Sequence, residues 1–148
     1  MKKVLVIGYG NTTRSDDGAG VRVAEHLAGE KVPGMDVRVM QQLHIDLVED
    51  LRGYDTAFFI DASENVQGVS LERIQGSGAA GIHSSHHLGP GVLASLGESL
   101  YQQKPDFYVC QIAAENFDFG EALSSRTETL VPEAARCIKD KIREIQYA

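Results

Sequence analysis

Apolar and polar positions along the chain follow two rhythms. Val4-Leu5-Val6-Ile7 is a continuous, β-branched apolar run that stops at the turn-forming Gly8-Tyr9-Gly10-Asn11, which predicts a buried first strand over Lys3–Ile7. From about Gly20 the period lengthens, with Val21, Ala24, Leu27 and Ala28 on one helical face and Arg22, Glu25 and His26 on the other, until Gly29 and Pro33-Gly34 end the helix. Met35, Val37 and Val39 alternate with Asp36 and Arg38, the pattern of a half-buried second strand over Met35–Gln41. A short helix over Asp46–Arg52 turns Leu47 and Leu51 inward. Ala57-Phe58-Phe59-Ile60 predicts a central strand with Asp61 at its carboxyl end, and Val69–Gln75 alternates like a strand nearer an edge. Gly91–Gln102 reads as a helix with Val92, Leu93, Leu96 and Leu100 inward, and Phe107–Ile112 as another apolar strand. Residues 113–129 form an excursion with few periodic cues. A terminal helix from about Leu130 to Ile145 buries Val131, Ala134, Ala135, Ile138, Ile142 and Ile145 and wets Arg136, Lys139, Asp140 and Arg143.

Strands alternating with helices predict an α/β fold, a three-layer sandwich with a mostly parallel twisted sheet of about five strands and helices on both faces. At 148 residues this is one domain spanning 1–148. Composition changes the picture little: 43% hydrophobic and 24% charged residues describe an ordinary globular chain. The net charge of −7 argues against a nucleic-acid partner, which favours a basic surface. Cys110 falls in an apolar strand and Cys137 beside a buried helical stripe, without the spacing of a zinc site, so both read as inert core thiols in a reduced, cytoplasmic setting. Only about five apolar residues follow Met1-Lys2-Lys3, too few for a secretory signal, and no run approaches the roughly 18 of a membrane span.

In an open parallel sheet, chemistry gathers outside the carboxyl ends of the strands, which turns attention to the loop after the first strand and its adjacent carboxylates Asp16 and Asp17. Both also suit a capping role at the positive end of the next helix. Gly8-x-Gly10 begins like a dinucleotide fingerprint, but Thr13 stands where the third glycine belongs and Met40-Gln41-Gln42 supplies no acid for a ribose. Asp61, beside apolar neighbours, needs a partner. His83, His86 and His87 lie in a glycine- and serine-rich stretch. Two carboxylates and an imidazole from three strand-following loops describe an open divalent-metal site, whose donors do not by themselves select the ion. No G-x-S-x-G elbow or H-E-x-x-H helix offers another route to hydrolysis.

Gly8-Tyr9-Gly10-Asn11 followed by Asp16-Asp17-Gly18-Ala19-Gly20-Val21 resembles the opening of the hydrogenase maturation proteases, the nickel-dependent endopeptidases that trim the large subunit of [NiFe] hydrogenases. Phe58-Phe59-Ile60-Asp61-Ala62, Ser84-Ser85-His86-His87-Leu88 and Leu123-Ser124 agree in order and spacing, so the resemblance covers nearly the whole chain. It implies that Asp17, Asp61 and His86 are both the catalytic residues and the metal ligands. Asp17 takes the second acidic position of the motif, where many relatives have glutamate, and His86 follows the Ser84-Ser85 pair; His83 and His87 become neighbours of the site. The chain departs from the family pattern at Gln41-Gln42-Leu43-His44-Ile45-Asp46, closer to the branch that serves cytoplasmic bidirectional hydrogenases, and at Gln111-Ile112-Ala113-Ala114-Glu115, which lacks the family's proline after the late strand.

The implied activity is removal of a C-terminal peptide from a large-subunit precursor whose nickel, carried by the substrate, meets those three side chains. Other divalent metals can substitute in the isolated protein. The implied protein is a cytoplasmic monomer with no membrane or nucleic-acid partner. A different class, a non-enzymatic metal- or nucleotide-binding module using the same loops, is separated from it by whether a peptide is released.

Overall fold

The computed structural model describes residues 1–74, 89–94 and 105–147. Five strands, β1 (Val4–Tyr9), β2 (Met35–Met40), β3 (Thr56–Ser63), β4 (Val69–Ile74) and β5 (Asp106–Ala113), form one sheet in the order β2-β1-β3-β5-β4. β1 runs parallel to β2 and β3, and β3 parallel to β5; only the edge strand β4 is antiparallel. Helix α1 (Ala19–Ala28) follows β1, the single turn α2 (Leu47–Asp50) follows β2, and α3 (Ser125–Tyr147) closes the chain. The expected three-layer α/β sandwich is the observed fold.

Alternation along the central strands divides the core in two. Val4, Val6, Phe58, Ile60, Cys110 and Ile112 pack under Val23, Ala24 and Leu27 of α1 and Val131, Ala134, Ala135, Ile138 and Ile142 of α3. Leu5, Ile7, Ala57, Phe59 and Phe107 point the other way, to Leu43, Leu47, Val48, Leu51 and Leu93, the last within a helical stretch over 90–94. Burial on both faces is why these strands read as unbroken apolar runs rather than alternating ones. Cys110 is fully buried in the first of these layers, and burial, with Cys137 nearby, pushes its thiol up to about 12. It is an inert core thiol, as expected. No described helix is long and apolar enough to cross a membrane.

Several boundaries differ from expectation. β3 continues to Ser63, so Asp61 lies inside the strand: pairing with β1 stops at Gly8↔Ile60, whereas pairing with β5 runs on to Ser63↔Ala113. Asp61 thus stands one residue beyond the end of the β1 ladder. α3 begins at Ser125, five residues before the expected start, because the polar Ser125–Thr129 masks the first helical turn. Thr127 is buried there, its hydroxyl donating to the Ala113 carbonyl at 2.8 Å. Ala28 is exposed rather than inward, and Val39, on edge strand β2, is 49% exposed. Of the expected helix over 91–102, the segment from residue 95 onward lies outside the described residues.

The start of α1 rests directly on the sheet. A Cβ at Gly8 would lie 2.3 Å from the Gly20 carbonyl oxygen, and one at Gly20 would lie 2.3 Å from the Ile60 carbonyl oxygen. Two glycines therefore let helix and strand backbones touch, and the touch fixes where the β1–α1 loop sits relative to the end of β3.

Candidate active site

The loop after β1 turns sharply. Gly10 has φ +143°, and a Cβ there would fall 1.9 Å from the Asp17 carbonyl oxygen, so only glycine fits. A 3-10 turn, Ser15–Gly18, then leads into α1. Ser15 is held in the left-handed region at φ 50°, its N–H donating to the Gly120 carbonyl and its hydroxyl to the Asp118 carbonyl, both at 2.7 Å. The adjacent carboxylates leave this turn in different directions.

Asp16 goes inward and is fully buried. Its Oδ2 accepts the N–H of Glu115 at 2.9 Å, the N–H of Asn116 at 3.0 Å and the Ser124 hydroxyl at 2.8 Å, while Oδ1 accepts the Ser124 N–H at 2.7 Å. Burial opposes its ionisation, but the donors of Glu115, Ser124 and Asn116 outweigh it and hold the carboxyl below the ordinary carboxylate range. Asp16 is a structural anchor for the segment between β5 and α3. That segment, the featureless excursion of the sequence, is ordered by bonds to the β1–α1 loop: the Gly120 N–H donates to the Thr13 carbonyl at 2.9 Å, and the Asp16 N–H to the Asn116 carbonyl at 2.8 Å.

Asp17 goes outward and is half-buried, its Oδ2 accepting the Asn11 N–H at 2.8 Å. Asp61 is also half-buried and close enough to feel the Asp17 charge. Burial is the largest influence on the Asp61 carboxyl; the Tyr9 hydroxyl draws it back, Asp17 raises it further and the Ala62 N–H lowers it, leaving it at about 6. Tyr9 was not singled out by the sequence, although its place is readable in hindsight. It is the β1 residue just past Gly8, as Asp61 is the β3 residue just past Ile60, and it packs on the side of the sheet carrying Phe59. Burial and the Asp61 carboxylate push its phenol well above the ordinary range, so it stays protonated and donates.

The structure therefore brings Asp17, Asp61 and Tyr9 together at the carboxyl ends of β1 and β3. These two strands flank the point where the connections leave in opposite directions, β1 toward β2 on one side and β3 toward the edge strand β4 on the other. His86, with His83 and His87, lies outside the described residues. Among the described residues no cluster of three or more His, Cys, Asp or Glu side chains is arranged to hold a metal ion.

The architecture is an open α/β sheet with Asp17 and Asp61 near its switch point. Solved structures narrow the fold. Similar ones include an endopeptidase from Escherichia coli (20% identity over 96% of this chain and 93% of that chain, TM-score 0.78). Two others are a [NiFe] hydrogenase maturation protease HycI from Thermococcus kodakarensis (21% identity, 94% and 91% covered, TM-score 0.73) and a hydrogenase 2 maturation peptidase from a Thaumarchaeota archaeon (22% identity, 95% and 98% covered, TM-score 0.72). The chain has the fold of the [NiFe] hydrogenase maturation proteases over nearly its whole length. No protein-family model matches the chain, and no curated protein matches it significantly.

Proposed function

We propose that this protein is an endopeptidase of the hydrogenase maturation protease family, removing a C-terminal peptide from the nickel-loaded large-subunit precursor of a [NiFe] hydrogenase. The observation that carries the reading is the juxtaposition of Asp17 and Asp61 at the switch point of a fold shared with these proteases. Two neighbouring carboxylates repel each other, and a divalent ion arriving with the substrate relieves that repulsion. Oxygen donors joined by an imidazole suit a first-row divalent metal such as nickel. In this reading Asp17 and Asp61 contact the substrate's nickel, and His86 supplies the nitrogen donor.

Within this scheme Tyr9 donates to Asp61 and fixes the orientation of its carboxylate, while the Asn11 N–H does the same for Asp17. Contact with the metal positions the adjacent peptide bond and restricts processing to precursors whose nickel is already in place.

The test is to incubate the purified protein with nickel-loaded and nickel-free precursor and weigh the products by mass spectrometry. The expected result is a shortened large subunit and a released C-terminal peptide with the loaded precursor only. Binding without release would instead make the protein a non-enzymatic metal-binding module. Full processing by the His86→Ala variant would remove that histidine from the site.

A further inference from the structure

Asp17 is carried by a turn that is fixed on both sides. After it, the α1 backbone at Gly20 touches the end of β3, so closely that a Cβ there would meet the Ile60 carbonyl oxygen at 2.3 Å. Before it, the Asp16 carboxylate accepts the Ser124 N–H at 2.7 Å and the Ser124 hydroxyl at 2.8 Å. The first contact ties the turn to the strand that bears Asp61. The second leads to the same strand by a longer route.

Ser124 stands directly before α3 and caps it: its carbonyl accepts the Glu128 N–H at 2.9 Å, and its hydroxyl oxygen accepts the Thr127 N–H at 3.4 Å. Thr127, fully buried in that first turn, donates its hydroxyl to the Ala113 carbonyl at the end of β5, and its hydroxyl oxygen lies 3.0 Å from that of Ser124. Ala113 pairs with Ser63, two residues beyond Asp61 on β3, and the Ala114 N–H donates to the Ser63 carbonyl at 3.0 Å. A closed circuit therefore runs from Asp61 along β3, across to β5, through Thr127 and Ser124 to Asp16, and back by way of Asp17 and Gly20 to β3. Both acids lie on it. Valine has nearly the shape of threonine, so what the Thr127 hydroxyl adds is the link to β5.

We infer that Ser124 and Thr127 are positioning residues: they fix the separation of the Asp17 and Asp61 carboxylates, and with it the rate at which that pair, in contact with the precursor's metal, presents the peptide bond for cleavage. This rests on the function proposed above and extends what governs the site to the first turn of α3.

The experiment uses purified nickel-loaded precursor with wild type, Ser124→Ala, Thr127→Val, Thr127→Ser and the double variant Ser124→Ala/Thr127→Val. Circular dichroism sets the assay temperature where every protein compared is folded, so that lost stability and lost positioning are read apart. The expected result is that Ser124→Ala and Thr127→Val each lower kcat about tenfold while KM stays within about twofold of wild type. Thr127→Ser keeps the hydroxyl and should cleave at the wild-type rate. Because both changes interrupt one circuit, the double variant should be no slower than the slower single variant. Wild-type kcat in folded Ser124→Ala and Thr127→Val, or losses that multiply in the double variant, would overturn the positioning role and leave the protease reading intact. Should Thr127→Val not fold, Ser124→Ala, at a half-buried position, decides by the same criterion. Absence of peptide release by wild type would overturn the protease reading and this inference with it.

Discussion

Asp16 and Asp17 are neighbours in sequence and opposites in environment. Asp16 has no exposed surface and four hydrogen bonds from three residues about a hundred positions away; Asp17 is half-open, has one backbone donor and faces another carboxylate. The same functional group is thus saturated with donors in one case and only partly satisfied, beside a second carboxylate, in the other. Saturation of a buried carboxylate with donors builds structure, whereas repulsion between two accessible ones keeps a site ready for a ligand.

The comparison is most sharply broken at Asp16. Asp16→Ala leaves the N–H groups of Glu115, Asn116 and Ser124 without their acceptor and should lower stability by about 3–5 kcal/mol, read as a shift in the urea midpoint at constant slope. Asp17→Ala should do the opposite. Its unfolding free energy should stay within about 1 kcal/mol of wild type, while peptide release falls about 100-fold in single-turnover assays by mass spectrometry. A result in which the two variants lose stability equally would dissolve the distinction.

pH separates the acids by sign. Asp16 has a depressed folded pKa, so its contribution is fully present above the unfolded value of about 3.9 and is lost as pH falls through the lower folded one. Asp61 has a folded value of about 6, so the folded state holds its proton longer than the unfolded chain does. Its effect is therefore a loss of stability as pH rises from about 4 to about 6, constant above that. Asp61→Asn should remove that loss, stabilising the protein above pH 6 by on the order of 1 kcal/mol, with little change at pH 3.5. Denaturation curves across pH 3–8 decide it; a variant with the wild-type pH profile would contradict the assigned environment. The smallest effect belongs to Tyr9→Phe. Removing the hydroxyl that lowers the Asp61 pKa should move that carboxyl further upward in an NMR titration, with a stability change of about 1 kcal/mol or less.

The central strands were legible because burial on both faces leaves an unbroken apolar run that no helix of that length would need, as in Val4–Ile7 and Ala57–Ile60. The direction of β4 was not, since its alternation is the same whether it runs with or against β5. The first turns of α3 escaped notice because their inward residue is a threonine that bonds the Ala113 carbonyl rather than an apolar side chain. At the candidate site, the family resemblance pointed to Asp17 and Asp61, which the fold brings near each other, but composition could not say which of two adjacent aspartates is buried. That depends on where the donors of Glu115, Asn116 and Ser124 lie, a property of the folded backbone alone. Tyr9 was missed because its role follows from the register between β1 and β3, and register is invisible until the strands are paired.

The bonds from Asp16 to Ser124 also have a consequence in time. During synthesis the amino-terminal strand and helix emerge early, yet the turn bearing Asp17 lacks its brace until more than a hundred further residues have followed and the closing helix can dock. A nascent chain interrupted before that point carries the acids without the frame that aims them. The brace behind the Asp17 turn is therefore among the last contacts the growing chain can make.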